Sequence, residues 1–257
     1  MSPPASTSPA APARVDQLLR LPLADGRTTT LHVARWSLAR TRVQIVRLPA
    51  QQRVVDWCAE RGCPDALVGG FYTRPAGMPL GEVRLGGSPV AHVPFAGPWH
   101  ATRASLHVDG AAVRIDRRDA LAPEPPGDLL QAGPLLVRDG VVACVDGADD
   151  EGFSAAAHQF DSDITARRHP RAAIGVGRDE LLAVVADGRS REDAGLTLGE
   201  LAGALAGLGA LAAMNLDGGG SASLVCDGHL RNRPRERHGV DLAGGRAVTT
   251  VIAFDTA

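Results

Sequence analysis

Three consecutive glycines, Gly218-Gly219-Gly220, separate two apolar runs, Ala210 to Met214 and Ala222 to Cys226. No regular element passes easily through such a triplet, because glycine loses the most conformational freedom on ordering. The triplet therefore divides two strands and marks a place where backbone approaches something closely or takes positive φ. Asn215 and Asp217 stand before it, and Ser221 and Ser223 follow. A plain Gly-rich hairpin needs none of these polar groups, whereas an active-site loop uses them. Successive N–H groups from Gly218 to Ser221 would form an anion-binding nest.

The rest of the chain predicts short strands separated by turns. Thr28 to Val33 and Arg42 to Leu48 alternate apolar with polar residues, as half-buried strands do. Asp109-Gly110 joins strands Ala101 to Val108 and Ala111 to Ile115, and Asp139-Gly140 joins Leu135 to Val137 and Val141 to Val145. A third hairpin pairs Ala172 to Val176 with Leu181 to Ala186, and Ala247 to Phe254 closes the chain as a strand. Helices are few. Arg53 to Arg61 has one apolar face, and Thr197 to Leu208 opens with a capping box, Thr197 to Glu200. That second helix, between two strands, predicts a β–helix–β crossover with Asp187 and Asp217 at the ends of strands. The expected fold class is α+β: a β-rich single domain with mixed sheet and one or two packed helices. It covers residues 14–257, after a disordered tail over 1–13.

Composition narrows the function. The net charge of 257 residues is −2, which points to neither nucleic acid nor a membrane surface as partner. Every one of the 27 basic residues is arginine, so lysine chemistry is excluded and phosphate must be held by Arg, His, hydroxyls or amides. Abundant Ala, Gly and Pro fit a GC-rich genome. The first residues lack the apolar segment of a secretory signal, and no segment reaches the ~18 apolar residues of a membrane helix. The expected location is cytoplasmic. Cys58 and Cys63 form a weak Cys-x4-Cys signal with no nearby His, and Cys144 and Cys226 are expected as buried thiols.

The chemistry-bearing residues fall in blocks. Asp187-Gly188-Arg189 follows the apolar strand Leu181 to Ala186; paired with Asp217 it would supply the two carboxylates of glycosyl transfer or hydrolysis. Arg167-Arg168-His169-Pro170-Arg171 concentrates cationic groups that suit phosphate. In the basic run Arg231 to His238, Asn232 and Arg233 stand out from an otherwise solvent-facing loop, and Arg246 is a further candidate. Gly69-Gly70 after the strand Ala66 to Val68 suits backbone approach to a ligand, while Phe71 suits the core. The acidic run Asp146 to Glu151 lacks calcium-loop spacing and is expected as a solvated turn.

Together, His169-Pro170-Arg171, Asp187-Gly188-Arg189, the Leu196-Thr197 helix start, Asn215 to Ser221 and Asn232-Arg233-Pro234 resemble the phosphodiester glycosidase family over roughly Ala66 to Phe254. Ala132-Gly133-Pro134-Leu135 joins these blocks. The resemblance implies hydrolysis of a glycosyl-1-phosphodiester to free sugar and phosphomonoester. It implies Asp217 and Asp187 as catalytic carboxylates. Arg171 and Arg189 would be phosphate clamps, with Asn215, Gly218, Gly219, Gly220, Ser221, His169, Gly69, Gly70, Asn232 and Arg233 around the substrate. No cofactor is expected to be required; a divalent metal is not indicated by ligand spacing. The partner would be a small sugar-phosphate. Departures are Val68, Ala172 and Ala222, where the family often has Asn, Thr and Ser, and they predict a shifted substrate preference. Two other readings use the same residues: a metal-dependent phosphodiesterase built on Asp187, Asp217 and His169, and a non-catalytic sugar-phosphate binding module.

Overall fold

The computed structural model describes residues 14–154, 165 and 167–256, so the tail expected over 1–13 lies outside the described residues. Its strands form three sheets. The first runs in the order β1 (Arg14–Pro22), β2 (Thr28–Ser37), β13 (Glu180–Ala186), β12 (Arg171–Val176), β14 (Ala212–Asn215), β10 (Leu135–Arg138), β11 (Val141–Val142). The second runs β16 (His229–Leu230), β15 (Leu224–Cys226), β4 (Asp65–Val68), β17 (Val248–Thr256), β3 (Thr41–Gln52). The third runs β6 (Ser88–Pro89), β5 (Val83–Leu85), β9 (Asp128–Gln131), β7 (Ala104–Asp109), β8 (Ala112–Arg117). Two α-helices accompany them, α1 (Val54–Arg61) and α2 (Leu198–Gly207).

The first sheet is apolar on both faces at its centre, which is why β13 reads as an unbroken run, Leu-Leu-Ala-Val-Val-Ala. On one face Ala34, Trp36, Ile174 and Met214 meet Ile45, Leu67, Val251 and Phe254 of the second sheet and Leu106 and Leu130 of the third. Trp36 stacks on Phe254 at 4.1 Å between ring centroids, and its indole N–H donates to Asp65 at 3.0 Å. On the other face Val33, Leu136, Ala173 and Val184 pack under Leu198, Leu201 and Leu205 of α2. Thr197 and Glu200 form the expected capping box on α2.

The crossover from β13 through α2 to β14 is present, but the two strands are not neighbours. Between them lies β12, antiparallel to both, and in place of the expected mixed sheet every strand pair within the three sheets is antiparallel. The consequence is useful: β13 and β14 end at the same edge of the sheet, beside the start of β12. Asp187, His169-Pro170 and Asp217 are thereby brought to one rim.

Two expectations are corrected here. The acidic run is a turn with Asp146 and Asp150 exposed, but it is not solvated throughout. Glu151 is buried and accepts from Ala104 N at 2.8 Å and Leu135 N at 2.6 Å, while Asp146 accepts from Gly199 N and the Thr197 hydroxyl at the start of α2. These backbone donors begin strands and a helix and need an acceptor. Cys144 is only partly buried, unlike Cys226, and the cysteines are free thiols. Phe71 is core, as expected, packed against Phe95 and Phe153.

Candidate active site

Two glycines make the rim possible. A Cβ on Gly188 would sit 2.8 Å from Pro170 N, and one on Gly218 would sit 2.8 Å from Pro170 O. Pro170 is thus wedged between the ends of β13 and β14. On the second sheet, a Cβ at Gly69 would lie 2.3 Å from the Thr250 hydroxyl oxygen, and Gly69 O accepts from Asp217 N at 3.1 Å. Gly70 N donates to the Thr250 hydroxyl at 3.0 Å. The Asp217 backbone is therefore stitched to β4 and to the strand that follows Arg246. Val68 and Ala172, two of the departures from the family pattern, are fully buried and belong to the core.

Asp217 occupies the floor of this junction. It is deep among protein atoms yet keeps some solvent contact. Its carboxyl is pushed up to about 6 by burial, against the pull of the Ser221 hydroxyl, the Arg246 charge, the Gly218 N–H and the Arg74 charge. The Gly218 N–H donates to Asp217 Oδ1 at 2.9 Å. Arg246 donates from Nη1 to Ser221 Oγ at 3.3 Å and from Nε to Glu236 Oε1 at 2.8 Å, with Nη2 on the same oxygen. Tyr72 lies near Arg246. Glu236 is held below the usual carboxylate range: burial opposes this, but hydrogen bonding to Arg246 and the charges of Arg246, Arg74 and Arg189 prevail.

Arg189 has φ of +62°, a left-handed conformation that a non-glycine residue adopts at a cost and that clusters at functional sites. Its Nη1 donates to Arg235 O at 2.9 Å and its Nη2 lies 3.4 Å from His169 Nδ1. A Cβ on Gly219, at φ +61°, would come within 3.0 Å of Arg189 Nη1. His169, Arg189, Arg246, Asp217, Ser221 and the glycines are therefore one cluster.

Other predicted residues sit differently. Asp187 is 3% exposed, and both its oxygens are engaged: Oδ2 with His32 Nε2 at 2.8 Å, Oδ1 with Arg233 N at 2.7 Å. Arg233 takes part through its backbone while its side chain is exposed. Asn232 is buried and joins Leu224 N and Ala222 O at 3.0 and 2.8 Å. Asn215 staples Gly133 O and Leu216 O through Nδ2, and its buried Oδ1 accepts no bond among the described residues. Arg171 is buried with Nε on Leu196 O at 3.0 Å and Nη2 on Arg167 O at 3.1 Å, so its guanidinium braces backbone on the α2 side of the sheet. The nest is also altered: Gly219 N donates to Pro170 O at 2.8 Å and Ser221 N to Gly218 O at 3.1 Å, so these amides close the loop rather than face outward. Among the described residues, no group of three or more His, Cys, Asp or Glu converges as a metal-ligand set.

Arg74, Glu236 and His32 carry no motif. Glu236 is the single acid between Arg231 and His238, and that isolation is the one signal it gives. The basic run is also less solvated than expected, since Arg235 is buried and donates to Asp241 at 2.6 Å.

Comparison with known proteins adds to this geometry. N-acetylglucosamine-1-phosphodiester alpha-N-acetylglucosaminidase of Mus musculus is 31% identical over 202 residues, 73% of this chain and 37% of the relative. The Homo sapiens enzyme of that name is 30% identical over 182 residues, 68% of this chain and 34% of the relative. The chain thus spans about a third of the length of these curated relatives. Among solved structures, the catalytic domain of the zebrafish enzyme of that name, auto-inhibited by pro-peptide, aligns at a TM-score of 0.72 and 20% identity, covering 98% of this chain and 87% of that one. A hypothetical protein from Synechocystis aligns at 0.64 and 17% identity, covering 95% and 62%. These structural likenesses concern the fold. Residues 62–254 match the family model for phosphodiester glycosidases, and this chain belongs to that family.

Proposed function

We propose that this chain hydrolyses a glycosyl-1-phosphodiester, releasing free sugar and a phosphomonoester. The single observation that carries the reading is Asp217: a carboxyl raised to about 6, at the floor of a junction whose surrounding cations are all arginines. The names of the relatives make an N-acetylglucosamine-1-phosphodiester the first substrate to try. All three departures, Val68, Ala172 and Ala222, are buried in the core, which favours keeping that sugar class over a shifted preference.

The leaving phosphomonoester is a good leaving group and needs little protonation. What the reaction does need is a proton acceptor for the attacking water and donors for the phosphate. Asp217, ionised above about 6, suits the first task. Arg246, Arg189 and the exposed Arg74 suit the second, since guanidinium groups grip phosphate oxygens in pairs. Asp187 holds Arg233 and His32 in place, and Arg171 braces Leu196; both are assigned supporting roles outside the reacting groups. The acting ligand is a small sugar-phosphate, with no nucleic acid or membrane involved.

The test is incubation with α- and β-glycosyl-1-phosphodiesters in ¹⁸O-water, read by mass spectrometry. Label in the released sugar is expected. Label in the phosphate means P–O cleavage by a phosphodiesterase, and tight binding without turnover means a binding module; either outcome removes the proposal.

A further inference from the structure

The geometry points to Glu236 as the second carboxylate of the reaction, facing the anomeric carbon while Asp217 carries the proton. This rests on the sugar-diester reading above. Three observations lead to it. The first is position. A Cβ on Gly220 would lie 2.9 Å from Glu236 Oε1, so the carboxylate stands directly over the glycine loop that Asp217 begins. Any larger residue at 220 would push it away, which gives that glycine a reason distinct from its backbone angles.

The second is connection. Asp217, Ser221, Arg246 and Glu236 form one chain of hydrogen bonds, with the Ser221 hydroxyl donating to Asp217 and Arg246 donating to both Ser221 and Glu236. Arg246 is itself fixed, because its backbone N donates to Gly220 O at 2.8 Å. The two carboxylates thus share a rigid mount and share Arg74 and Arg246 as charged neighbours.

The third is the division between the two oxygens. Both donors from Arg246 fall on Oε1, and Oε2 accepts no hydrogen bond among the described residues. One oxygen anchors the group while the other is left for a ligand. Asp187, which the sequence offers as the second acid, is 3% exposed and has a partner on each oxygen. Two carboxylates in unlike environments are what a paired acid–base and charge-stabilising mechanism requires. Here Asp217 is raised and Glu236 lowered, so one exchanges protons near neutrality while the other stays anionic.

The C1–O bond of the sugar breaks with its electron pair passing to the phosphate oxygen, and the phosphomonoester departs toward the arginines. Glu236 Oε2 stabilises the positive charge left on C1 and the ring oxygen. A water lone pair forms the new C1–O bond, and the water proton passes to Asp217.

The test compares wild type, Glu236→Gln and Glu236→Ala on the methyl phosphodiester of α-N-acetylglucosamine-1-phosphate and a series of related sugar diesters. Glutamine keeps an oxygen for Arg246 but loses the charge. The expected result is a fall in kcat of about 10²–10³-fold with KM within a few fold, unchanged circular dichroism, and partial rescue of Glu236→Ala by azide with formation of a glycosyl azide. Glu236→Gln within threefold of wild type, or no azide rescue of a folded Glu236→Ala, overturns the role of Glu236 and leaves the diester reading standing. A wild type inert on the whole series removes the diester reading, and this inference with it.

Discussion

Asp217 carries its penalty in the folded state and its value in the reaction. Burial raises its carboxyl from 3.8 to about 6, so the ionised form is disfavoured by folding. This contribution favours the folded state below pH 4, and the benefit is lost as pH rises through about 6. Activity moves the other way, because the base must be ionised. We therefore expect kcat/KM to rise as pH passes through about 6 and Asp217→Asn to lose at least about 100-fold. At pH 7.5 the same variant should be more stable than wild type by up to about 3 kcal/mol, at ~1.36 kcal/mol for each tenfold change in proton affinity. Urea denaturation at pH 4 and 7.5 checks this: a stability difference that does not shrink at pH 4 would mean the carboxyl is not raised. Asp217 was legible in the sequence because it stands between an apolar strand and three glycines. Glu236 was not, because nothing local tells a carboxylate in a basic run that it will face a loop sixteen residues upstream rather than water.

At the scale of elements, local chemistry is read well where it is self-contained. The capping box at Thr197 forms as its spacing requires, with Glu200 N donating to Thr197 Oγ1 at 3.1 Å and Thr197 N to Glu200 Oε2 at 3.0 Å. Thr197→Ala should lower stability by ~1 kcal/mol, measured by thermal or urea unfolding, with kcat unchanged because α2 packs on the face of the sheet away from Asp217. A loss below a few tenths would mean that Asp146, which also accepts at this helix start, is sufficient alone. The Asp109-Gly110 and Asp139-Gly140 hairpins form too. Strands without a turn signature are harder. The exposed strand β1 shows no alternation, and its residues are set by pairing with β2 and by Arg14 reaching Asp65 at 2.5 Å.

Across the whole molecule, Glu151 ties two sheets together by accepting from Ala104 at the start of β7 and from Leu135 at the start of β10. Burial pushes its carboxyl from 4.5 up to about 7, against the pull of those two N–H groups and of the Arg103 charge. Arg103 is itself fully buried between the rings of Phe95 and Phe153, at 4.1 and 4.0 Å. Since the folded value is raised, the stability Glu151 lends is fully present below pH 4.5 and is lost as pH rises through 7. Relative to Glu151→Gln, wild type should lose on the order of 3 kcal/mol over that range, read from urea midpoints at several pH values. Parallel curves for the two proteins would place the carboxyl at an ordinary value. What the sequence by itself determined is local: the glycine break, the turns, the capped helix and the family blocks, because each depends on residues a few positions apart. Tertiary structure alone decided which sheet neighbours which, that β12 lies between β13 and β14, that Asp187 meets His32 and the Arg233 amide while Arg171 braces backbone, and that Arg74 and Arg246 face Asp217 with Glu236 held on Arg246. Those outcomes depend on which strand ends meet at one rim, and burial and pairing over long separations set that only once the sheets have packed.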